Sequence, residues 1–214
     1  MDDIKTEEEQ IAAIKNWWKE NGNSLLMAVV AAIAIIFGWK AWQNNVEQTK
    51  AEASALYQQL MQGAARESKA SNTEYLAGEL KKNYGDSEYA LFAALFLAKE
   101  AVGNSDYPKA LEELDFVLEN TEDTRTTHIA LGRKARILSQ TGDNEDALNL
   151  LANPAPEFEA AFLEITGDIK LRQGDKDAAR SVYEKAYGLV KAEPQRAPLL
   201  AVKLSSLGVD VTTL

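Results

Sequence analysis

The stretch LEITGDIKLRQGDKDAARSVYEKAY, Leu163–Tyr187, decides how this chain folds. One helix runs up to Gly174. Asp175 turns the chain, and a second helix opens with an acidic residue and alanines. Two other stretches share the design: GNSDYPKALEEL at 103–114 and QTGDNEDALNLL at 140–151. In each, an Asp- or Asn-rich turn offers side-chain acceptors to the orphan N–H groups of the new helix.

Aligned on Asp106, Asp143 and Asp175, the three copies are spaced 37 and 32 residues apart, which brackets the 34-residue tetratricopeptide period. Ala110, Ala147 and Ala179 fall in step, and twelve residues before them stand Ala98, Ala135 and Gly167. Small side chains at those offsets let the two helices of a hairpin approach. Four residues after each alanine come Leu114, Leu151 and Tyr183, large enough to fill the groove between hairpins. Alternating small and large residues is what ridge-into-groove packing of stacked hairpins requires. Pro154 and Pro156 stop the back helix of the second copy early, and the first copy is expected to carry an insertion near Gly103–Ser105. Strand signals are nearly absent. The expected fold is all-α: a tetratricopeptide-like α-solenoid behind one N-terminal apolar helix. After Pro194 and Pro198, LLAVKLSSLGVDVTTL reads as a last helix covering the open end, with a loose tail.

Upstream lies NWWKENGNSLLMAVVAAIAIIFGWKAWQ, Asn16–Gln43, which holds every tryptophan of the chain. It admits three readings: a buried core helix, a cleaved export signal or a retained anchor. Residues 23–42 suffice to cross ~30 Å of hydrocarbon, with Lys40 near one end where its amine reaches the headgroups. Trp18 and Trp39 stand roughly 31 Å apart on a helix, and indole rings favour both membrane boundaries. A small-x-small motif, Ala32–Ile33–Ala34, sits inside the run, and GWKAWQNN directly after the run offers no good one, which disfavours cleavage. The expected interface residues are therefore Trp17, Trp18, Trp39, Lys40 and Trp42. Lys5, Lys15 and Lys19 before the run outnumber Lys40 and Lys50 after it, a slender bias toward a cytoplasmic N-terminus. Small-xxx-small pairs (Ala28/Ala32, Ala34/Gly38) would permit helix association and oligomers. The resulting organisation is a tail at 1–22, an anchor at 23–42 and amphipathic helices at 43–86 leading into the solenoid. Three hairpins at 87–193 and a capping helix with its tail at 194–214 follow. A break is expected over ARESKASNTEY, then a short helix ending at Gly85.

The chain has 214 residues, a net charge of −10, no cysteine and one histidine, His128. The acidity argues against nucleic acid as a partner. One histidine without cysteine nearly closes zinc, triad and thiol chemistry. No enzyme activity, metal or cofactor is expected. His128 is expected to face solvent or cap a helix, and Glu112/Glu113 to be a solvated pair.

The matching segments AAIKNWWKENG at 12–22, GWKAWQ at 38–43, AEASALYQQL at 51–60 and the Leu163–Tyr187 block make the chain similar to the ancillary SecYEG translocon subunit family. That resemblance implies a single-pass bacterial inner-membrane protein with a cytoplasmic N-terminus and a periplasmic solenoid. It also implies partners, the SecYEG channel and a membrane-anchored periplasmic chaperone, and a role in passing exported proteins to periplasmic chaperones. The alternative is a membrane-tethered regulatory adaptor that holds a signalling protein. By register, the inner face of the solenoid carries Phe92, Leu95, Lys99, Arg136, Ser139, Glu164, Asp168 and Leu171 as candidate protein-binding residues. No asparagine accompanies Lys99 and Arg136 where a carboxylate clamp would need one, so capture of a C-terminal carboxylate is not expected.

Overall fold

A computed structural model describes residues 7–65 and 70–214. The first six residues of the expected tail, and residues 66–69 of the expected break, lie outside the described residues; the last six residues of that break, 70–75, are helical instead. The chain divides into two units, 1–52 and 53–214. Helix α1 (Glu7–Ala65) contributes to both. It is followed by α2 (Ala70–Asn83), α3 (Glu88–Gly103), α4 (Tyr107–Asn120), α5 (Thr124–Thr141), α6 (Asn144–Leu150), α7 (Glu159–Arg172), α8 (Lys176–Val190) and α9 (Ala197–Ser206). No strand occurs among the described residues.

In the first unit, α1 is long and apolar enough to cross a membrane, and none of its apolar stretch is covered by other protein. Trp17, Trp18, Trp39 and Trp42 are all more than half exposed. The indoles of Trp39 and Trp42 lie 5.0 Å apart, as residues one turn apart on a helix must.

The second unit is a stack of hairpins. Its apolar core falls into four clusters, and each joins three successive helices. Ala94, Ala98 and Ala101 of α3 meet Leu114 and Val117 of α4 and Ile137 of α5. Ala135 of α5 meets Ala147 at α6 and Phe162, Ile165 and Ile169 of α7. Tyr183 and Ala186 of α8 meet Ala160 of α7 and Leu200 and Leu204 of α9. A fourth cluster was not foreseen: Ala53 and Leu60 from the last turns of α1 pack with Ala77 and Leu80 of α2 and with Ala93 and Leu97 of α3. The end of α1 and α2 thus form a further hairpin ahead of the three read from sequence. Each hairpin leaves an apolar edge that only the next helix covers, and this nearest-neighbour burial is what makes a solenoid.

The small and large positions behave as the register requires. Ala98, Ala135, Ala110, Ala147, Ala179, Leu114, Leu151 and Tyr183 are all buried. The turns are more uniform than expected. Asp106, Asp143 and Asp175 each donate their N–H to the carbonyl five residues back: Ala101 at 2.8 Å, Leu138 at 2.8 Å and Lys170 at 3.0 Å. The expected insertion near Gly103–Ser105 is therefore absent. The residue before each Asp is left-handed, with φ of 102° at Gly142 and 85° at Gly174. In the first hairpin Ser105 takes this position at φ 60°, a conformation more costly for a side chain than for glycine. The unequal spacing arises instead because α4 and α5 are both longer than α6 and α7, a difference only partly offset by the longer connector after α6. Asp106 and Asp175 cap their helices through Lys109 N and Ala178 N, whereas Asp143 accepts from the Thr141 hydroxyl. Gly85 lies past the end of α2 without a positive φ, so it is not a left-handed cap.

His128 compensates for the short α6. Its Nδ1–H donates to Thr124 O at 2.7 Å, and its Nε2 accepts from the Ala155 N–H at 2.9 Å. These two bonds require the neutral ring protonated on Nδ1. The ring also stacks on Phe158 at 4.6 Å. The expected exposed or capping histidine is instead a clamp that fastens the proline-rich loop to α5. Glu113 likewise departs from expectation. It is 4% exposed, and both of its oxygens accept from Lys81 of α2, at 2.7 and 2.8 Å. Glu112 alone of the pair faces solvent.

Tyr183 carries a pH-dependent part of the stability. Its hydroxyl donates to Asp168 at 2.7 Å. Burial, and then the Asp168 and Glu164 carboxylates, push the phenol well above its ordinary value of 10.0. The folded state therefore prefers the neutral phenol. That contribution is complete below pH 10.0 and declines as pH rises beyond it. Urea unfolding at pH 9 and pH 11 is expected to show a larger alkaline loss for the wild type than for Tyr183→Phe. Equal losses in the two proteins would contradict this assignment.

Candidate protein-binding groove

The first helices of successive hairpins, α3, α5 and α7, present the surface where the candidate residues were expected. On α3, Phe92, Leu95, Lys99 and Val102 recur at spacings of three and four, so they share one stripe. On α5, Ile129, Arg133, Arg136 and Gln140 do the same. The two stripes face each other across cavities at both of their ends. One, of about 710 Å³, lies between the first turns of α3 and α5 and is lined by Phe92, Leu95 and Ile129. A second, of about 310 Å³, is lined by Lys99, Val102, Arg133 and Arg136. A third, of about 560 Å³, continues from Arg136 to Asp168 and Leu171 of α7.

The eight expected positions therefore have different fates. Phe92 is 42% exposed, with its ring 6.1 Å from that of Tyr57. Leu95 is half-buried against the α3–α4–α5 core. Lys99 and Arg136 are exposed and stand together at one cavity. Leu171 is half-buried beside Arg136. Ser139, in contrast, is 2% exposed: it accepts from Arg172 and donates to Asn144, tying α5 to α7 and to the next turn. Glu164 and Asp168 both accept from Lys203 of α9, at 2.7 and 2.6 Å. Lys203 also sits 5.5 Å over the Tyr183 ring. These two acids anchor the terminal helix.

Three groove residues were missed: Val102, Ile129 and Arg133. Val102 and Ile129 are 40% and 39% exposed. All three follow from carrying the helical stripe one more turn, a signal already present around Lys99 and Arg136. The groove's electrostatics are unusual for so acidic a chain. Lys99, Arg133 and Arg136 make no ion pair with any described residue, whereas Lys81, Lys109, Lys134 and Lys203 are each paired. Unpaired cations around exposed aliphatic and aromatic side chains suit a polypeptide with apolar and acidic groups. Among the described residues, no group of three or more His, Asp or Glu is placed to hold a metal ion.

Residues 15–209 match the family model for a tetratricopeptide repeat-like domain. The chain is 33% identical to a protein of Haemophilus influenzae over 84% of this chain and 88% of that one. It is 32% identical to a protein of Aggregatibacter actinomycetemcomitans, over 94% and 97%, and 28% identical to one of Escherichia coli, over 98% and 100%. Each of these relatives is named an ancillary SecYEG translocon subunit. No solved structure matches the chain. With a stacked-hairpin core matched almost end to end by such relatives, the chain belongs to the tetratricopeptide repeat-like family of ancillary SecYEG translocon subunits.

Proposed function

We propose that this protein is a membrane-anchored scaffold of the bacterial inner membrane. Residues 23–42 cross the bilayer once, with Trp17, Trp18, Trp39, Lys40 and Trp42 at its boundaries. The N-terminus is cytoplasmic and the repeat unit is periplasmic. The protein associates with the SecYEG translocon and with a membrane-anchored periplasmic chaperone, and exported chains pass across the repeat unit from one to the other. It performs no catalysis. The observation that carries this reading is the groove of Lys99, Arg133 and Arg136 beside exposed Val102. It places unpaired cations beside an exposed apolar side chain and is joined in sequence to an uncovered apolar helix. The names of the relatives support the choice of the translocon.

Two measurements test it. Alkaline phosphatase fused after Leu214 is expected to be active, because that enzyme matures only outside the cytoplasm. Activity solely from a cytoplasmic reporter at the same position would reject the topology and favour a regulatory adaptor. A photo-crosslinking residue at Lys99 or Arg136, at native expression, is expected to trap translocon or chaperone components. One placed at exposed Lys185 of α8 is expected not to. Equal trapping from all three positions, or none from any, would reject the groove as the working surface.

A further inference from the structure

The stripe shared by α3 and α5 is charged oppositely at its two ends. At the first turns, the cavity lined by Phe92, Leu95 and Ile129 is rimmed by Asp86, Glu88, Glu122 and Asp123, with Arg125 as the one cation. Asp123 caps α5 by accepting from Thr126 N and Oγ1, and those bonds hold its carboxyl below the usual range, so it is a fixed negative charge. At the last turns, the cavity is rimmed by Lys99, Arg133 and Arg136 with no acidic residue among its lining. Beyond it, Asp168 is paired with Lys203, a cation it shares with Glu164. From Glu88 to Val102 the stripe is about 21 Å long, which matches roughly six residues of extended chain. Exposed Phe92, Ile129 and Val102 lie along it.

We propose that this trough binds an extended polypeptide segment in one orientation. The segment has an apolar centre over Phe92, Ile129 and Val102, a cationic flank against Asp86, Glu88 and Glu122, and an acidic flank against Lys99, Arg133 and Arg136. The proposal rests on the protein-binding reading above and adds the chemistry and direction of the ligand. Complementary charge at both ends rewards the correct register and penalises the reversed one, because reversal brings like charges together at each end. The acidic flank consists of side-chain carboxylates, since the trough lacks the asparagine of a terminal-carboxylate clamp.

The test uses the full-length protein in lipid nanodiscs at low salt, with protein-free discs as the blank. Three fluorescein-labelled peptides with blocked ends share a Leu-Phe-Val-Leu centre. One is flanked by Lys-Lys and Asp-Asp, one by Asp-Asp and Ser-Ser, and one by Lys-Lys and Ser-Ser. The doubly charged peptide is expected to bind about fivefold tighter than either of the others, and raised salt is expected to erase the difference. Arg136→Glu is expected to weaken only the peptides with an acidic flank, and Glu122→Lys only those with a cationic flank. Since the chain has no cysteine, Gln140→Cys or Glu88→Cys carries a single bimane label. Tryptophan placed in the acidic flank is expected to quench the label at 140 and not the one at 88. Equal quenching at both labels, equal effects of the two substitutions on all peptides, or no binding by any peptide overturns the proposal. If crosslinking from Lys99 traps partners while the peptides show no end preference, the polarity fails and the function stands. If the peptides orient as described but nothing is trapped in cells, the function fails and the trough chemistry stands.

Discussion

Gly167→Ala is expected to destabilise the repeat unit by up to about 2 kcal/mol, although alanine is the better helix former. A Cβ at Gly167 would lie 2.3 Å from Cε1, 2.5 Å from Cδ1 and 2.9 Å from Cζ of Tyr183. Tyr183 cannot move aside. It is 1% exposed in the core joining α7, α8 and α9, and its hydroxyl is held by Asp168. Overpacking a rigid core costs about 1–3 kcal/mol or more, which exceeds the roughly 1 kcal/mol of helix propensity gained over glycine. Gly188, in α8, is the internal control. It is exposed, and a Cβ there would meet nothing within 4 Å. Gly188→Ala should therefore stabilise the protein by up to about 1 kcal/mol. Urea unfolding followed by circular dichroism at 222 nm, on the full chain in non-ionic detergent, reads both. If the two substitutions shift the midpoint alike, Gly167 is not set by its contact with Tyr183.

Lys81→Met is expected to cost about 3 kcal/mol, far more than an ordinary surface ion pair. The reason is the carboxylate left behind. Glu113 lies almost wholly out of water, and Lys81 is the cation on both of its oxygens. The lysine is partly exposed, and its ammonium also rests 5.3 Å over the Phe116 ring. Removing the lysine strands a buried charge, whereas replacing both partners by apolar residues removes the desolvation cost along with the attraction. The double variant Lys81→Met/Glu113→Leu is therefore expected to lie within about 1 kcal/mol of the wild type. A double-mutant cycle by the same urea method checks this. Additive losses from the two single substitutions would mean that the pair is not coupled. Because Lys81 belongs to α2 and Glu113 to α4, the single variant should loosen the first two hairpins against each other. Faster proteolysis near α2 would report that loosening.

The repeat frame was legible because it depends on features that one helix pair carries within itself. A turn Asp following a left-handed residue, and small residues twelve positions before an alanine, recur wherever the hairpin recurs. Hairpins at α3–α4, α5–α6 and α7–α8 could be read from those signals. The hairpin formed by the end of α1 and α2 could not, because no turn Asp with an alanine four residues after it directly follows α1 in the sequence. Its evidence is the packing of Ala53 and Leu60 against Ala77, Leu80 and Leu97. The candidate groove was partly legible for the same reason. Helical spacing placed Phe92, Leu95 and Lys99 on one stripe, and extending it by a turn on each helix reaches Val102, Ile129 and Arg133.

Spacing along one helix says nothing about which neighbouring helix supplies a partner. Ser139 lies close to exposed Arg136 on α5, yet Arg172 and Asn144 close over it. Glu164 and Asp168 read as open acids until α9 brings Lys203 to them. Glu113 reads as solvated until Lys81 reaches across from α2. His128 reads as exposed until the loop stopped by Pro154 and Pro156 returns to it. By itself, the sequence determined the helices, their turns, the hairpin register and one helix apolar enough for a membrane. These follow from local periodicity and capping, whose energies are settled within a few residues. Only the tertiary structure decided which charges are paired, which polar groups are buried and which cations stay without an ion pair among the described residues. Those outcomes depend on the side chain that arrives from another helix, tens of residues away.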